Sequence, residues 1–374
     1  MDAHFSRRHR SAKFVGAIDH LTEKGASEMQ ITTIGIDLAK MVFAIHGVDQ
    51  RGKTVLQKQL KRGAMKRFFA NLEPCLIGME ACGSAHHWAR ELEVFGHSVK
   101  LMAAQFVKPY VKSNKNDLAD AEAICEAVRR PNMRFVARKT VEQQAILSVH
   151  RARQGFVRAR TAQANQIRGL LAEFGIILPQ GVVSITRRVP EVLEDGENGL
   201  PGLLRQLIER LAVNLKEMDR QVKELEKQIQ QWHRENEASQ RLAKIPGMGP
   251  ITASAIVATV GDGREFKNGR QLAAWLGLVP RQYSSGGKST LLGISKRGDT
   301  YLRSLLIHGA RSVIRYAEPK AAPDSWLRRL LARRHRNVAT VALANKNARV
   351  IWALLASGEE FQPDYTIATQ AAVV

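Results

Sequence analysis

The amino-acid sequence predicts an α/β domain, then a long α-helical coiled-coil middle, then a mainly α-helical C-terminal domain. Three observations predict it. Between Ile31 and Arg130, short β-branched apolar runs alternate with amphipathic stretches, the pattern of a mixed sheet covered by helices. From Leu204 to Trp232, apolar residues step by four and three, the spacing of a coiled coil. After Leu242, helical periods are interrupted by glycine. The expected divisions are a loose leader at 1–28, an α/β domain at 29–135, a helical middle at 136–240, a C-terminal domain at 241–361 and a frayed tail at 362–374.

In order along the chain, "ITTIGID" and "MVFAIHGV" read as a first pair of strands, and "DQRGK" as the turn into a third, "TVLQKQL". "AMKRFFANL" reads as a helix and "CLIGME" as an apolar strand ending in Glu80. "SAHHWARELEVFG" is an amphipathic helix closed by Gly96, "SVKLM" a further strand, and "DLADAEAICEAVRR" a helix. The helical middle begins with an arginine-rich stretch carrying Arg151, Arg153, Arg158, Arg160 and Arg168. "LPQGVVSITRRVPEVLEDGENGLPG" is rich in Pro and Gly and reads as a loop. The seam that follows (Leu204, Ile208, Leu211, Leu215, Met218, Val222, Leu225, Ile229 and Trp232) suits either a helical hairpin within one chain or a dimerising coiled coil. Residues 1–28 are polar without a clear period, and Met29 is a candidate alternative start.

The chain has 374 residues, with 57 Lys and Arg against 35 Asp and Glu, a formal charge of +22 and a pI near 10.3. Charge of this size opposes a compact state by self-repulsion, and a polyanionic partner, most commonly nucleic acid, is the usual reason to tolerate it. Cys75, Cys82 and Cys125 are too few and too scattered for a disulfide framework and lack metal-ligand spacing, which suits a reducing cytoplasm. No apolar run is long enough to span a bilayer, and no signal peptide is visible.

Asp37 ends the first strand, where a carboxylate needs a reason: either it caps a turn or it holds a cation. Glu80 ends the next strongly apolar strand, and Asp117 and Asp120, three apart, share one face at a helix start. Taken singly, Asp117 reads as an N-cap, Asp120 as a solvated acid and Glu80 as a strand-end ion-pair partner. Taken together, strand tips and a helix start can converge in a mixed sheet, and four crowded carboxylates need a compensating cation. Hard divalent ions, Mg²⁺ or Mn²⁺, are the match for oxygen ligands of this kind, and pairs of such ions serve phosphoryl transfer.

"AKIPGMGPITASAIVATVG" places a Gly247-Met248-Gly249 turn between apolar helices, similar to a helix-hairpin-helix motif that grips phosphate through backbone amides, with Lys244 nearby. A plain turn between core helices is the alternative. Ser284, Ser285, Gly286 and Gly287 then form a small-residue loop, surrounded in sequence by Arg281, Lys288, Lys296, Arg297 and Arg303. Cations there would neutralise a phosphate and lower a hydroxyl's pKa, as a nucleophilic serine requires, though such a loop is usually just a loop.

"IGIDLAK", "GMEACGS", "KNDLADA", "IPGMGPITA", "PRQYSSGG" and "ISKRGDTYLRSLLIHGA" stand in the order and spacing of one family. On these blocks, covering nearly everything from Met29 to about Phe361, the chain resembles a transposase of the insertion-sequence 110 family, of its 1111-type subgroup. The resemblance implies a ribonuclease-H-like, RuvC-type N-terminal domain whose Asp-Glu-Asp-Asp tetrad falls on Asp37, Glu80, Asp117 and Asp120, with Mg²⁺ or Mn²⁺ as cofactor. It implies a helical coiled-coil connection and a C-terminal domain whose catalytic serine precedes a glycine, which maps onto Ser285, with the doubled Ser284 leaving one position of ambiguity. It further implies donor and target DNA as partners, a structured guide RNA, a dimer or tetramer, and strand exchange through a phosphoserine bond and a Holliday junction in the nucleoid of a bacterial cytoplasm. A Holliday-junction nuclease using metal-bound water, a catalytically silent nucleic-acid-binding scaffold, and an actin-like ATPase are the other readings. The last is disfavoured because Leu38, Ala39, Lys40 and Met41 follow the "GID" in place of a phosphate-gripping run.

Overall fold

Thr33–Asp37 (β1) is buried nearly throughout and pairs antiparallel with Val42–Val48 (β2), Asp37 lying opposite Ala44. A turn in which the Asp49 carboxylate accepts from the Lys53 amide at 2.8 Å returns the chain into Thr54–Lys61 (β3), also antiparallel. The chain then passes through Met65–Ala70 (α1) into Leu76–Glu80 (β4), which runs parallel to β1. Ala85–Glu93 (α2), followed by Gly96 at φ +86°, leads to Ser98–Met102 (β5), parallel to β4. Ala104–Val107 (α3) and Asp117–Val128 (α4) follow. The computed structural model describes residues 30–112, 116–316 and 325–362. The leader, Met29 and most of the tail lie outside them. The chain divides into two units, up to Arg134 and from Phe135 onward.

In the first unit the strand order is β3-β2-β1-β4-β5. Side chains alternate between faces with period two. Ile34, Ile36, Phe43, Ile45, Ile77 and Met79 therefore share one face, where the Phe43 ring meets Trp88 of α2 edge-on at 5.3 Å. Gly35 and Gly78 share the other face and are direct partners in the β1–β4 register. They form a trough for α4: a Cβ on Gly35 would lie 2.2 Å from the Ala121 carbonyl oxygen, and one on Gly78 2.8 Å from Val128 Cβ.

The second unit begins at the two-residue strand Phe135–Val136 (β6) and is dominated by Val141–Ala172 (α5) and Gly202–Glu235 (α7). A Thr140–Gln143 capping box starts α5. The two helices are antiparallel, since Arg153 pairs with Glu226, Arg160 with Asp219, and Asn214 donates to Gln163. Of the heptad seam, Ile208, Leu215, Val222 and Ile229 are buried, one every seven residues, and α5 of the same chain covers them. The seam is thus that of an intrachain helical hairpin. Two of the five arginines of the basic stretch, Arg153 and Arg160, are likewise spent on this pairing, and Arg168 donates to the Leu178 carbonyl.

One expectation is corrected here. The segment read as a loop contains a helix, Val182–Glu194 (α6), with Ile185 and Val189 buried and Pro190 inside it. Glu237–Ala243 (α8), Pro250–Val260 (α9), Gly269–Trp275 (α10), the hairpin Pro280–Ser285 (β7) and Lys288–Ile294 (β8), Thr300–Tyr316 (α11), Trp326–Leu331 (α12) and Arg336–Ser357 (α13) complete the unit. Its helices close on a core that includes Leu242, Ile256, Leu272, Leu306, Leu343 and Ile351.

Candidate active site

Asp37 and Glu80 each stand two residues beyond a trough glycine, so the pleat turns both toward the face that α4 covers. The helix supplies Asp117 and Asp120 at its N-terminus. Oxygens of Asp37, Asp117 and Asp120 all lie within 4.8 Å of one another. Glu80 is not in this group of three, but it feels the charge of two of its members. Its pKa is raised, first by burial and then by the charges of Asp37 and Asp120. The same field reaches Cys82, whose thiol is pushed up by burial and then by Glu80 and Asp37.

The helix cap is Asn116, whose side chain accepts from the Leu118 amide at 3.1 Å. The ordinary explanation for Asp117, that it caps α4, is thereby displaced, because its neighbour does that work. Sequence reasoning missed Asn116, although Asn is among the strongest capping residues. Three converging carboxylate oxygens with a fourth, reluctantly ionised carboxyl beside them suit a hard divalent cation, which would relieve the mutual repulsion.

In the second unit, Ser285 ends β7 and faces Lys288 across the hairpin. Gly286 and Gly287, at φ +55° and +78°, form the two-residue connection, where two successive left-handed residues favour glycine. The expected loop is therefore a β-hairpin, with an irregularity in its ladder between Pro280 and Gln282. Ser284 points to the opposite face, where the Gln282 amide donates to its hydroxyl at 2.8 Å. Arg281, Lys288, Lys296 and Arg297 are all exposed.

Arg303 is not available to a phosphate. It is only 7% exposed, and its guanidinium donates to the carbonyls of Leu276 and Arg297 at 3.1 and 2.9 Å and to the Thr300 hydroxyl. The Gly247-Met248-Gly249 turn does join two helices, α8 and α9. However, Gly247 is demanded by packing: at φ +84° its missing Cβ would lie 2.6 Å from the Gly309 carbonyl oxygen of α11. Met248 is buried, and Lys244 pairs with Glu360 at 2.6 Å.

A mixed sheet with acids at the ends of neighbouring parallel strands, under a helix that brings two more, is the arrangement of a ribonuclease-H-like DEDD domain, a class that transfers phosphoryl groups of nucleic acids. Comparison with known proteins narrows the class. A transposase family model for the DEDD domain of IS110-type elements matches residues 34–176, and one described as "Transposase IS116/IS110/IS902 family" matches 239–325. A "Probable family 20 transposase" of Pseudomonas aeruginosa is 53% identical over 337 residues, covering 90% of this chain and all of that protein. The transposase of insertion sequence element IS1328 of Yersinia enterocolitica is 45% identical over 88% of this chain and 98% of its own length. That of IS1111A of Coxiella burnetii is 42% identical over 96% and 98%. The chain belongs to the IS110/IS116/IS902 family of insertion-sequence transposases, and it is a DNA phosphoryl-transfer enzyme. Among the described residues, no helix is long and apolar enough to cross a membrane.

Proposed function

We propose that this transposase is a site-specific recombinase whose tetrad, Asp37, Glu80, Asp117 and Asp120, holds Mg²⁺ or Mn²⁺, and whose nucleophile is Ser285. The convergence of three aspartates beside a carboxyl with a raised pKa carries this reading. Bound there, a divalent cation would polarise the scissile phosphate and neutralise developing charge on oxygen. Ser285 Oγ then forms an ester bond to phosphorus while a phosphorus–oxygen bond of the DNA backbone breaks. The departing sugar oxygen takes up a proton and the serine hydroxyl loses one. The ester preserves the energy of the broken bond, so a free hydroxyl of another strand can reverse the step without ATP. Exchange of strands in this way passes through a Holliday junction.

The position of Ser285 supports it over Ser284, whose hydroxyl is held by Gln282 on the opposite face. Exposed Arg281, Lys288, Lys296 and Arg297 lie near Ser285 in sequence and would contact backbone phosphate, whereas Arg303 would not. The backbone amides of Gly247 and Gly249, with Lys244, remain a proposed second phosphate contact, the Met248 amide between them donating to the Ile245 carbonyl. A structured guide RNA and a homo-oligomer belong to the same proposal. The net charge of +22 supports a polyanion without choosing between RNA and DNA.

The test is a strand-exchange assay on junction DNA with Mg²⁺, read together with denaturing electrophoresis for a protein–DNA adduct. Asp37→Asn and Ser285→Ala should abolish exchange while DNA binding persists, and the wild-type adduct should vanish in Ser285→Ala. Exchange that survives Ser285→Ala refutes the assignment. Cleavage without any adduct identifies a nuclease using water.

A further inference from the structure

Pro280–Ser285 and Lys288–Ile294 form an arm with no side of its own to bury. Every residue of β7 is exposed, as is all of β8 except the half-buried Ile294. Tyr283 is 72% and Leu291 65% exposed. A two-stranded ribbon with two wet faces is marginal by itself and ordinarily persists because something covers it.

Its root, by contrast, is locked. The Ser295 amide donates to the Val279 carbonyl at 2.8 Å, and Lys296 to Gly277 at 3.2 Å. The chains entering and leaving the arm touch backbone to backbone: a Cβ on Gly277 would lie 2.2 Å from the Arg297 carbonyl oxygen. The buried Arg303 guanidinium clamps both, holding the Leu276 carbonyl before the arm and the Arg297 carbonyl after it. A rigid base thus presents a projecting ribbon.

The chemistry of the ribbon selects its partner. From Pro280 to Gly298 there are four basic residues and no acid. One face carries Gln282, Ser284, Ser289 and Leu291, the first three joined by hydrogen bonds of 2.8 and 3.3 Å from the Gln282 amide nitrogen. The other carries Tyr283, Ser285, Lys288 and Thr290. Amide and hydroxyl groups read base edges, while Lys and Arg contact phosphate. We propose that the β7–β8 ribbon enters the major groove of duplex DNA, with Gln282 and Ser289 against base edges and Arg281 and Lys288 on flanking phosphates. B-form DNA has a major groove about 12 Å wide that admits a two-stranded ribbon, whereas the A-form RNA groove is too narrow. The inference rests on the DNA-transposase assignment and deepens it, but needs neither the metal nor the serine ester.

The experiment measures binding without divalent metal to a duplex spanning the ends of the element that encodes this chain. Guanine-N7 methylation, in the major groove, is compared with adenine-N3 methylation, in the minor groove. Wild type should show N7 interference at a few adjacent bases. Gln282→Ala with Ser289→Ala should erase that interference and cost roughly ten-fold or more in preference over unrelated DNA. Arg281→Ala with Lys288→Ala should keep the preference but reduce the slope of log affinity against log salt by about 1.8. Thermal unfolding should be unchanged in both, since all four side chains are exposed. Interference confined to adenine N3, wild-type binding by both double variants, losses seen only with RNA, or no binding of the duplex by wild type each overturns the ribbon assignment. Loss of the N7 pattern in variants of a protein that shows no strand exchange would instead leave the ribbon standing and sink the recombinase reading.

Discussion

Replacing Gly35 by alanine tests whether helix seating sets the active-site geometry. The new Cβ would lie 2.2 Å from the Ala121 carbonyl oxygen and 2.4 Å from the Cys125 amide nitrogen. Both are backbone atoms of α4, so no side chain can swing aside. Restoring ordinary contact at 3.4 Å requires α4 to lift by about 1.2 Å at its middle, one residue from Asp120. Overpacking of this kind costs about 1–3 kcal/mol, and a rigid backbone clash belongs at the upper end. Displacing two of four acids by about 1 Å should cut metal-dependent DNA cleavage about 100-fold. Gly78→Ala is the internal comparison. Its nearest contact, Val128 Cβ at 2.8 Å, belongs to a side chain in the last turn of α4, so stability should fall with less effect on cleavage. Gly63→Ala, with nothing within 4 Å, serves as control. Urea unfolding and a magnesium-dependent junction-cleavage assay report the two quantities. Wild-type cleavage by a folded Gly35→Ala protein would refute the reasoning.

Burial holds the His150 pKa down to about 4, with its ring nitrogens engaged by the Tyr301 and Ser254 hydroxyls at 3.0 and 3.1 Å. The unfolded chain therefore binds a proton first, so stability present above pH 6.5 should drain away as pH falls toward 4, by on the order of 3 kcal/mol; urea midpoints for wild type and His150→Gln read this, and equal slopes in that window would exclude it. Arg303→Met should destabilise by about 2 kcal/mol or more by orphaning two carbonyls, yet leave the salt dependence of DNA binding intact; a changed salt slope would return Arg303 to the DNA surface. Ile208→Ala, at the buried seam, should cost roughly 2–5 kcal/mol, whereas Leu203→Ala, 83% exposed on the same helix, should stay within about 0.5; comparable losses from chemical unfolding would mean the seam is misassigned. Gly155→Ala, exposed inside α5 with nothing near its Cβ position, should raise stability by about 0.5–1 kcal/mol, and an unchanged or lower midpoint would contradict the helix.

The central strands of the first unit were legible because, buried on both faces, they read as short continuous apolar runs, and α2 because its apolar residues share one face. The segment at 178–202 was not, because Pro190 and flanking glycines read as breakers; the signal was Val182, Ile185 and Val189 at helical spacing. The β7–β8 hairpin was hidden for a different reason. A strand is recognised by alternation between a dry and a wet face, and this ribbon has two wet ones, so only the Gly-Gly turn marked it. Arg303 was misread because charge is visible in a sequence and burial is not. Asn116 was overlooked beside two acids that attracted the same role.

The acidic centre and the sheet glycines are one device. Gly35-Ile36-Asp37 and Gly78-Met79-Glu80 repeat the same spacing on adjacent parallel strands, with the two glycines in register. Period-two alternation then forces each acid onto the face its glycine opens. The glycines admit the α4 backbone, and the acids meet whatever that helix presents at its N-terminus, where Asn116 has taken the cap. Helix seating therefore brings Asp117 and Asp120 over the strand tips. The repulsion this creates has nowhere to relax, since a helix pressed onto backbone cannot slide without reopening the core. Burial first, and then the charges of Asp37 and Asp120, raise the Glu80 pKa, and a divalent cation is the species that would offset the contribution of the charges.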